Sequence, residues 1–203
     1  MRIRAPDSAP APTDTGELAD QDLMLLVARG LIREPATELF ERHNGALYNF
    51  LAWLCQGNLA EAEDLTQKTW LRLISRCGDY RPGPATFRTF LFQIARNAFL
   101  DARRAAGERL RDDGVSQREA DRLEVEDADP DPETLLLSVE AKTRLHAALM
   151  TLPVSQREVV VLRYFAELSL EEVAHTVGAG IETVRSRLRY AFKGLRRELG
   201  PSA

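Results

Sequence analysis

The sequence predicts an all-α protein of two small helical domains joined by a flexible acidic linker. Apolar residues recur at three- and four-residue spacing with no strand-like alternation. Gly, Pro and Asn clusters break the periodic runs into short helices. Charge is also partitioned: residues 105–137 carry eleven acidic side chains against four arginines, whereas residues 181–199 carry six basic against two acidic. A formal net charge of −4 therefore conceals an acidic connector and a basic carboxy-terminal helix.

With 203 residues, 44% hydrophobic and 29% charged, the chain has the composition of a soluble globular protein. No apolar run approaches the ~20 residues of a membrane-spanning helix. The proline-rich start, with Asp7 and Asp14, lacks a signal peptide's apolar core, so a cytoplasmic location is expected. Residues 1–16 read as a disordered leader because they cannot bury enough surface to offset chain entropy.

The first domain, residues 17–104, holds helices predicted at 22–29, 36–55, 59–76 and 86–104. Breakers separate them at Pro35, at Gly57-Asn58 and at 78–84. In the third helix Ala62, Leu65, Thr69 and Leu73 form an inward stripe, which leaves Asp64, Gln67, Lys68 and Leu71 on another face: polar groups around one apolar contact, suited to a partner helix. In the fourth, Phe87, Phe90, Ile94 and Phe99 are expected in the core. Residues 105–131 form the linker, long enough to reach about 90 Å when extended.

The second domain, residues 132–203, is expected to open at Asp131-Pro132-Glu133, where an N-capping Asp and a first-turn Pro start a helix reaching about residue 151. Ser155-Gln156-Arg157-Glu158 has capping-box spacing and predicts a helix to about residue 166; Ser169-Leu170-Glu171-Glu172 repeats it. A short helix to Val177, the turn Gly178-Ala179-Gly180 and a long helix from Ile181 follow. Val173, Ala174, Val177, Ile181, Val184 and Leu188 fall on the inner faces of two crossed helices, a helix-turn-helix. Its second helix shows outward Thr183, Arg185, Ser186, Arg187, Arg189 and Tyr190, side chains able to meet base edges and phosphates in a major groove.

Cys55 and Cys77 lack zinc-site spacing, and His43, His146 and His175 are scattered. Two buried free thiols, no metal, no cofactor and no catalytic centre are expected. A helix-turn-helix alone would also suit a stand-alone dimeric regulator of duplex DNA, so the first domain must discriminate.

Leu152-Pro153, Gln156-Arg157-Glu158-Val159, the segment from Leu168 to Ala174 and Thr183-Val184-Arg185-Ser186-Arg187-Leu188 together resemble region 4 of extracytoplasmic-function (ECF) sigma factors of the sigma-70 family. The run Ala62-Glu63-Asp64-Leu65-Thr66-Gln67-Lys68-Thr69-Trp70-Leu71-Arg72-Leu73 is similar to region 2.2, with Lys68 where glutamate is common. The helix from Phe87 to Asp101, with Arg103-Arg104 after it, resembles regions 2.3 and 2.4. No segment resembles regions 1.1 or 3 of the larger sigma factors, which points to the ECF group.

The resemblance implies an alternative sigma factor that binds core RNA polymerase through the β′ coiled coil and the β subunit, with Asp64, Gln67, Lys68 and Leu71 at the docking surface. It implies minus-10 recognition by Arg88, Arg96, Asn97, Arg103 and Arg104, with the loop at 79–85 offering a pocket for a flipped base. Minus-35 recognition would fall to Thr183, Arg185, Ser186, Arg187, Arg189 and Tyr190. An anti-sigma factor is the implied regulatory partner, and neither membrane insertion nor enzymatic activity is expected.

Overall fold

The computed structural model describes residues 17–83, 86–107 and 139–200. The predicted leader, nearly all of the acidic linker, the Asp131-Pro132-Glu133 helix start and Pro84-Ala85 of the loop lie outside the described residues. Among the described residues there are eight α-helices and no strand: α1 (Asp20–Ala28), α2 (Arg33–Leu54), α3 (Leu59–Ser75), α4 (Phe87–Ala105), α5 (Val139–Thr151), α6 (Val154–Val160), α7 (Leu170–Val177) and α8 (Ile181–Leu199). A 3₁₀ turn, Cys77–Asp79, follows α3, and a π turn, Val161–Phe165, follows α6.

The first four helices pack around one apolar centre. Along α2, Leu39, His43, Leu47, Phe50, Leu51 and Leu54 repeat every three or four residues and are all buried. Across from them, α4 contributes Phe87, Leu91, Phe92, Ile94, Ala95, Ala98 and Phe99, with Phe92 meeting the Phe50 ring edge-on at 5.3 Å. Each such large apolar side chain contributes ~1.5–3 kcal/mol by leaving water. Ala62, Leu65, Thr69 and Leu73 of α3 are buried as their spacing predicts; Phe90 is only half-buried.

Local signals set the helix starts. Asn58 Oδ1 accepts the Glu61 backbone N–H at 3.2 Å to open α3, and Thr86 Oγ1 accepts that of Thr89 at 3.3 Å to open α4. Pro35 does not separate two helices as the sequence suggested. It occupies the first turn of α2, where the N–H that proline lacks would have had no helical acceptor.

In the second half, the expected capping box at Ser155 is absent. Pro153 takes the N-cap position in extended conformation, φ −52° and ψ 146°, so α6 begins at Val154 and Ser155 already lies inside the first turn. This frees Glu158 from a cap. The backbone stays helical to Phe165 by switching to π geometry, in which the Ala166 N–H reaches Val161 O at 2.9 Å.

The second predicted box is present: Ser169 Oγ accepts the Glu172 N–H at 3.1 Å, and Glu172 Oε2 accepts the Ser169 N–H at 2.8 Å. Gly178 closes α7 at φ +66°, the left-handed turn that glycine adopts without steric cost. α8 then starts at Ile181, with Gly180 as its N-cap in extended conformation. Val173, Val177, Val184 and Leu188 are buried between the two helices, with Ala174 and Ile181 half-buried at the edge.

The two helical units touch. α4 packs on α7, and the end of α2 packs on α6 and the π turn. Trp53 of α2 lies between His146 of α5, ring centroids 4.7 Å apart, and Phe165 at 5.4 Å.

Candidate nucleic-acid interface

The chain presents three surfaces, one per predicted role. On α3 the inward stripe turns Asp64, Gln67, Lys68 and Leu71 outward, and all four are exposed. Lys68 Nζ donates to Asp64 Oδ2 at 2.6 Å across one helical turn, while Leu71 remains 68% exposed. Nearby, the exposed Phe40 of α2 stacks on Trp70 with centroids 5.3 Å apart, and Trp70 Nε1 donates to Asn44 Oδ1 at 3.0 Å. Phe40 was not singled out from sequence. Its signal was an aromatic residue one step off the buried stripe at Leu39. Polar groups that stay solvated around a few exposed apolar side chains make a surface suited to a protein partner.

The second surface is the face of α4. Its five predicted DNA-facing residues do not share one environment. Asn97 and Arg104 are exposed, Arg104 Nη1 lying 3.7 Å from Asp101 Oδ1. Arg103 is half-buried over the Phe99 ring at 5.0 Å, with Nη2 donating to Glu61 Oε2 at 3.1 Å. Arg88 and Arg96 reach across to the other helical unit: Arg88 Nη2 donates to the Ala166 carbonyl, and Arg96 Nε donates to Glu158 Oε1.

Beside this face the loop after α3 forms a pocket of about 220 Å³ lined by Asp79, Tyr80, Arg81, Phe90, Gln93 and His175. The described part of the predicted base-pocket loop thus does border a concavity, and His175 of α7 supplies one wall. The Tyr80 ring packs on Phe90 at 5.3 Å, while its buried hydroxyl has no partner among the described residues.

The third surface is the outer side of α8. Thr183, Arg185 and Arg189 are exposed, and Ser186, Arg187 and Tyr190 are half-exposed, on the opposite side from Val184, Leu188, Ala191 and Leu195. Glu182 Oε1 lies 3.6 Å from Arg185 Nη1, so one carboxylate tempers an otherwise cationic face. Exposed surface pairs of this kind are weakly held, which leaves Arg185 able to exchange Glu182 for a phosphate or base.

Cys55 is buried, as predicted, but Cys77 is partly exposed because the 3₁₀ turn lifts it off the core. Burial, with Glu61 adding to it, pushes the Cys55 thiol up to about 11. No group of three or more His, Cys, Asp or Glu side chains that could hold a metal ion occurs among the described residues. No described helix is long and apolar enough to cross a membrane.

The Sigma-70 region 2 family matches residues 39–109, and the Sigma-70 region 4 family matches residues 148–197. The ECF RNA polymerase sigma factor SigE of Mycolicibacterium smegmatis is 38% identical over 159 residues, covering 78% of this chain and 59% of SigE, so the chain spans little more than half of that relative. SigW of Bacillus subtilis, also an ECF RNA polymerase sigma factor, is 30% identical over 161 residues, covering 73% of this chain and 81% of SigW. In fold, the chain is similar to sigma factor RpoE of Bartonella quintana, solved in complex with the anti-sigma factor NepR. That likeness has a TM-score of 0.64 and 24% identity, and covers 84% of this chain and 100% of RpoE. From region 2 in the first four helices to region 4 in the helix-turn-helix, the chain belongs to the sigma-70 family, in its extracytoplasmic-function group.

Proposed function

We propose that this protein is an alternative sigma factor that binds core RNA polymerase and directs it to promoters by reading minus-10 and minus-35 elements. The observation that carries the proposal is the pairing of two surfaces in one chain: a helix-turn-helix whose α8 turns cations outward, and an α3 face with Leu71 exposed among polar groups. A stand-alone regulator has use for the first but not the second.

In this reading residues 17–104 form the polymerase-docking and minus-10 domain, residues 105–131 the linker, and residues 132–203 the minus-35 domain. Asp64, Gln67, Lys68 and Leu71 meet the β′ coiled coil, and the β subunit is the second part of the core enzyme that the protein contacts. Arg88, Arg96, Asn97, Arg103 and Arg104 engage the minus-10 strand, where the Asn97 amide can both donate to and accept from a base. The pocket at Tyr80 and Phe90 receives an unstacked base. Thr183, Arg185, Ser186, Arg187, Arg189 and Tyr190 meet base edges and backbone phosphates at minus-35.

Two modest DNA contacts carried on one enzyme act at high effective concentration, so neither domain has to bind tightly alone. The polymerase supplies the chemistry in the cytoplasm. An anti-sigma factor that covers these surfaces holds the protein inactive, a reading supported by the complex in which the Bartonella RpoE was solved.

Run-off transcription with purified core polymerase and the promoter upstream of this protein's own gene is the test. Initiation from a defined start only in its presence is the expected result. Tight binding to duplex DNA with no association with core polymerase would assign the protein to the stand-alone regulators instead.

A further inference from the structure

The face of α4 assigned to minus-10 DNA is covered by the helix-turn-helix unit of the same chain. Arg96 is engaged by Glu158 of α6, a carboxylate only 5% exposed. Arg88 is engaged by the carbonyl of Ala166. Thr86 Oγ1 donates to Glu172 Oε1 at 2.6 Å, so one carboxylate serves the N-termini of both α7 and α4. The His175 wall of the loop pocket comes from that unit as well. Two arginines needed for DNA are thus spent inside the molecule, and access to the base pocket is narrowed.

The residue next to Glu158 acts in the opposite sense. Arg157 is fully buried; among the described residues its Nε and Nη2 have no partner and its Nη1 meets only the thioether of Met150 at 3.2 Å. Among the described residues, the charged or polar groups that act on it across the contact are the Arg103 guanidinium and the Cys55 thiol, with no carboxylate among them. A buried cation without a counter-ion is costly, and separating the two units would return it to water.

We infer that the chain carries its own closed, DNA-occluded state, latched by Glu158 on Arg96 and by Glu172 on Thr86, and kept easy to open by the stranded charge of Arg157. Adjacent residues on α6 thereby set the balance between closed and open forms. The assignment of the covered face to DNA rests on the sigma reading; the latch itself does not.

Trp53 reports on the contact, because it lies between His146 and Phe165 of the other unit. The full-length protein without polymerase is studied by small-angle scattering and by acrylamide quenching of tryptophan, with circular dichroism to establish that helicity is kept. Glu158→Ala is expected to enlarge the radius of gyration and to quench Trp53 severalfold faster. Arg157→Met is expected to do the reverse, giving quenching at or below the wild-type rate. Exchanging the pair, Arg96→Glu with Glu158→Arg, is expected to restore the compact form that either change alone loses.

If Arg157→Met opens the molecule, the arginine is ordinary interface packing and the idea is wrong. It is equally wrong if Glu158→Ala and the exchanged pair both scatter and quench like the wild type. Because neither readout involves polymerase or promoter, a failed run-off assay would overturn the sigma reading and leave the latch standing, and the converse holds as well.

Discussion

His43 shows how one side chain ties the start of the chain to its core. Its Nε2 lies 2.7 Å from Asp20 Oδ2, and its ring packs on Phe87 at 5.3 Å. Burial lowers its proton affinity below the usual histidine value of 6.5, outweighing the pull of Asp20, so the neutral ring donates its N–H to the carboxylate. The unfolded chain therefore takes up the proton first as pH falls. The stabilisation is whole above pH 6.5 and is lost progressively below it. Melting at pH 7.5 and 5.5 should show the lower pH less stable, and His43→Gln should remove most of that difference.

Cys55 makes a sharper case. With its thiol near 11, roughly one molecule in a thousand carries the thiolate at pH 8. Iodoacetamide is expected to label Cys77 in the native protein and Cys55 only after denaturation. Labelling of Cys55 at the rate of an exposed thiol would mean that the contact around Arg157 opens far more often than its packing indicates.

Among the elements, the helix-turn-helix depends on two positions that can be changed singly. Replacing Gly178 with alanine meets no atom within 4 Å, so its cost is conformational: about 1–2 kcal/mol for holding a Cβ at φ +66°. Ser169→Ala removes the cap of α7 at about 1 kcal/mol. It also frees Glu172, whose carboxyl is pushed up by burial but pulled further down by hydrogen bonds from Thr86, Ser169 and Thr89. Denaturant melts of the full chain would register both losses. Wild-type stability in either variant would contradict the geometry of this turn.

These elements were legible because each rests on a local signal. Spacing of three and four residues gave the buried stripe of α3, and Ser169-x-x-Glu172 with a following glycine gave the turn. Ser155-x-x-Glu158 has the same letters and failed, because Pro153 holds the extended N-cap conformation two residues earlier and Ser155 falls within the helix. The partner that Glu158 takes, Arg96, lies 62 residues away, and no periodicity encodes such a pairing. Hence the exposure of Asn97 and Arg104 was readable from the helical period, and the occupation of Arg88 and Arg96 was not.

For the molecule as a whole, the proposed function divides between surfaces that different measurements separate. Leu71→Ala should weaken association with core polymerase roughly tenfold, about 1.4 kcal/mol, without altering the fold, since the side chain is already in water. Titration of labelled protein with core enzyme would measure it, and an unchanged affinity would remove Leu71 from the docking surface. Arg189→Ala should weaken minus-35 binding and flatten its dependence on salt by about one unit of slope if the side chain meets a phosphate. Substituting Arg96 is expected to be more complicated, because it disturbs the closed form as well as the promoter complex. Its effect on the isolated protein and on the holoenzyme should therefore differ.

The π turn between α6 and α7 has a consequence for insertion and deletion. Five residues there make one wide turn that ends with Ala166 bonded five residues back, which amounts to an α-helix holding one residue too many. Removing a single residue from this stretch should let the backbone close to ordinary α geometry without a break. Everything downstream would then keep nearly its present direction relative to α6, because five residues of the widened turn and four of an α turn sweep about the same angle. The side chains to watch are those inside the turn itself, Phe165 against Trp53 and Tyr164, which meets the Phe192 ring edge-on at 5.5 Å. A codon deletion here would be tolerated by the helix, with any loss confined to the packing of Tyr164 and Phe165.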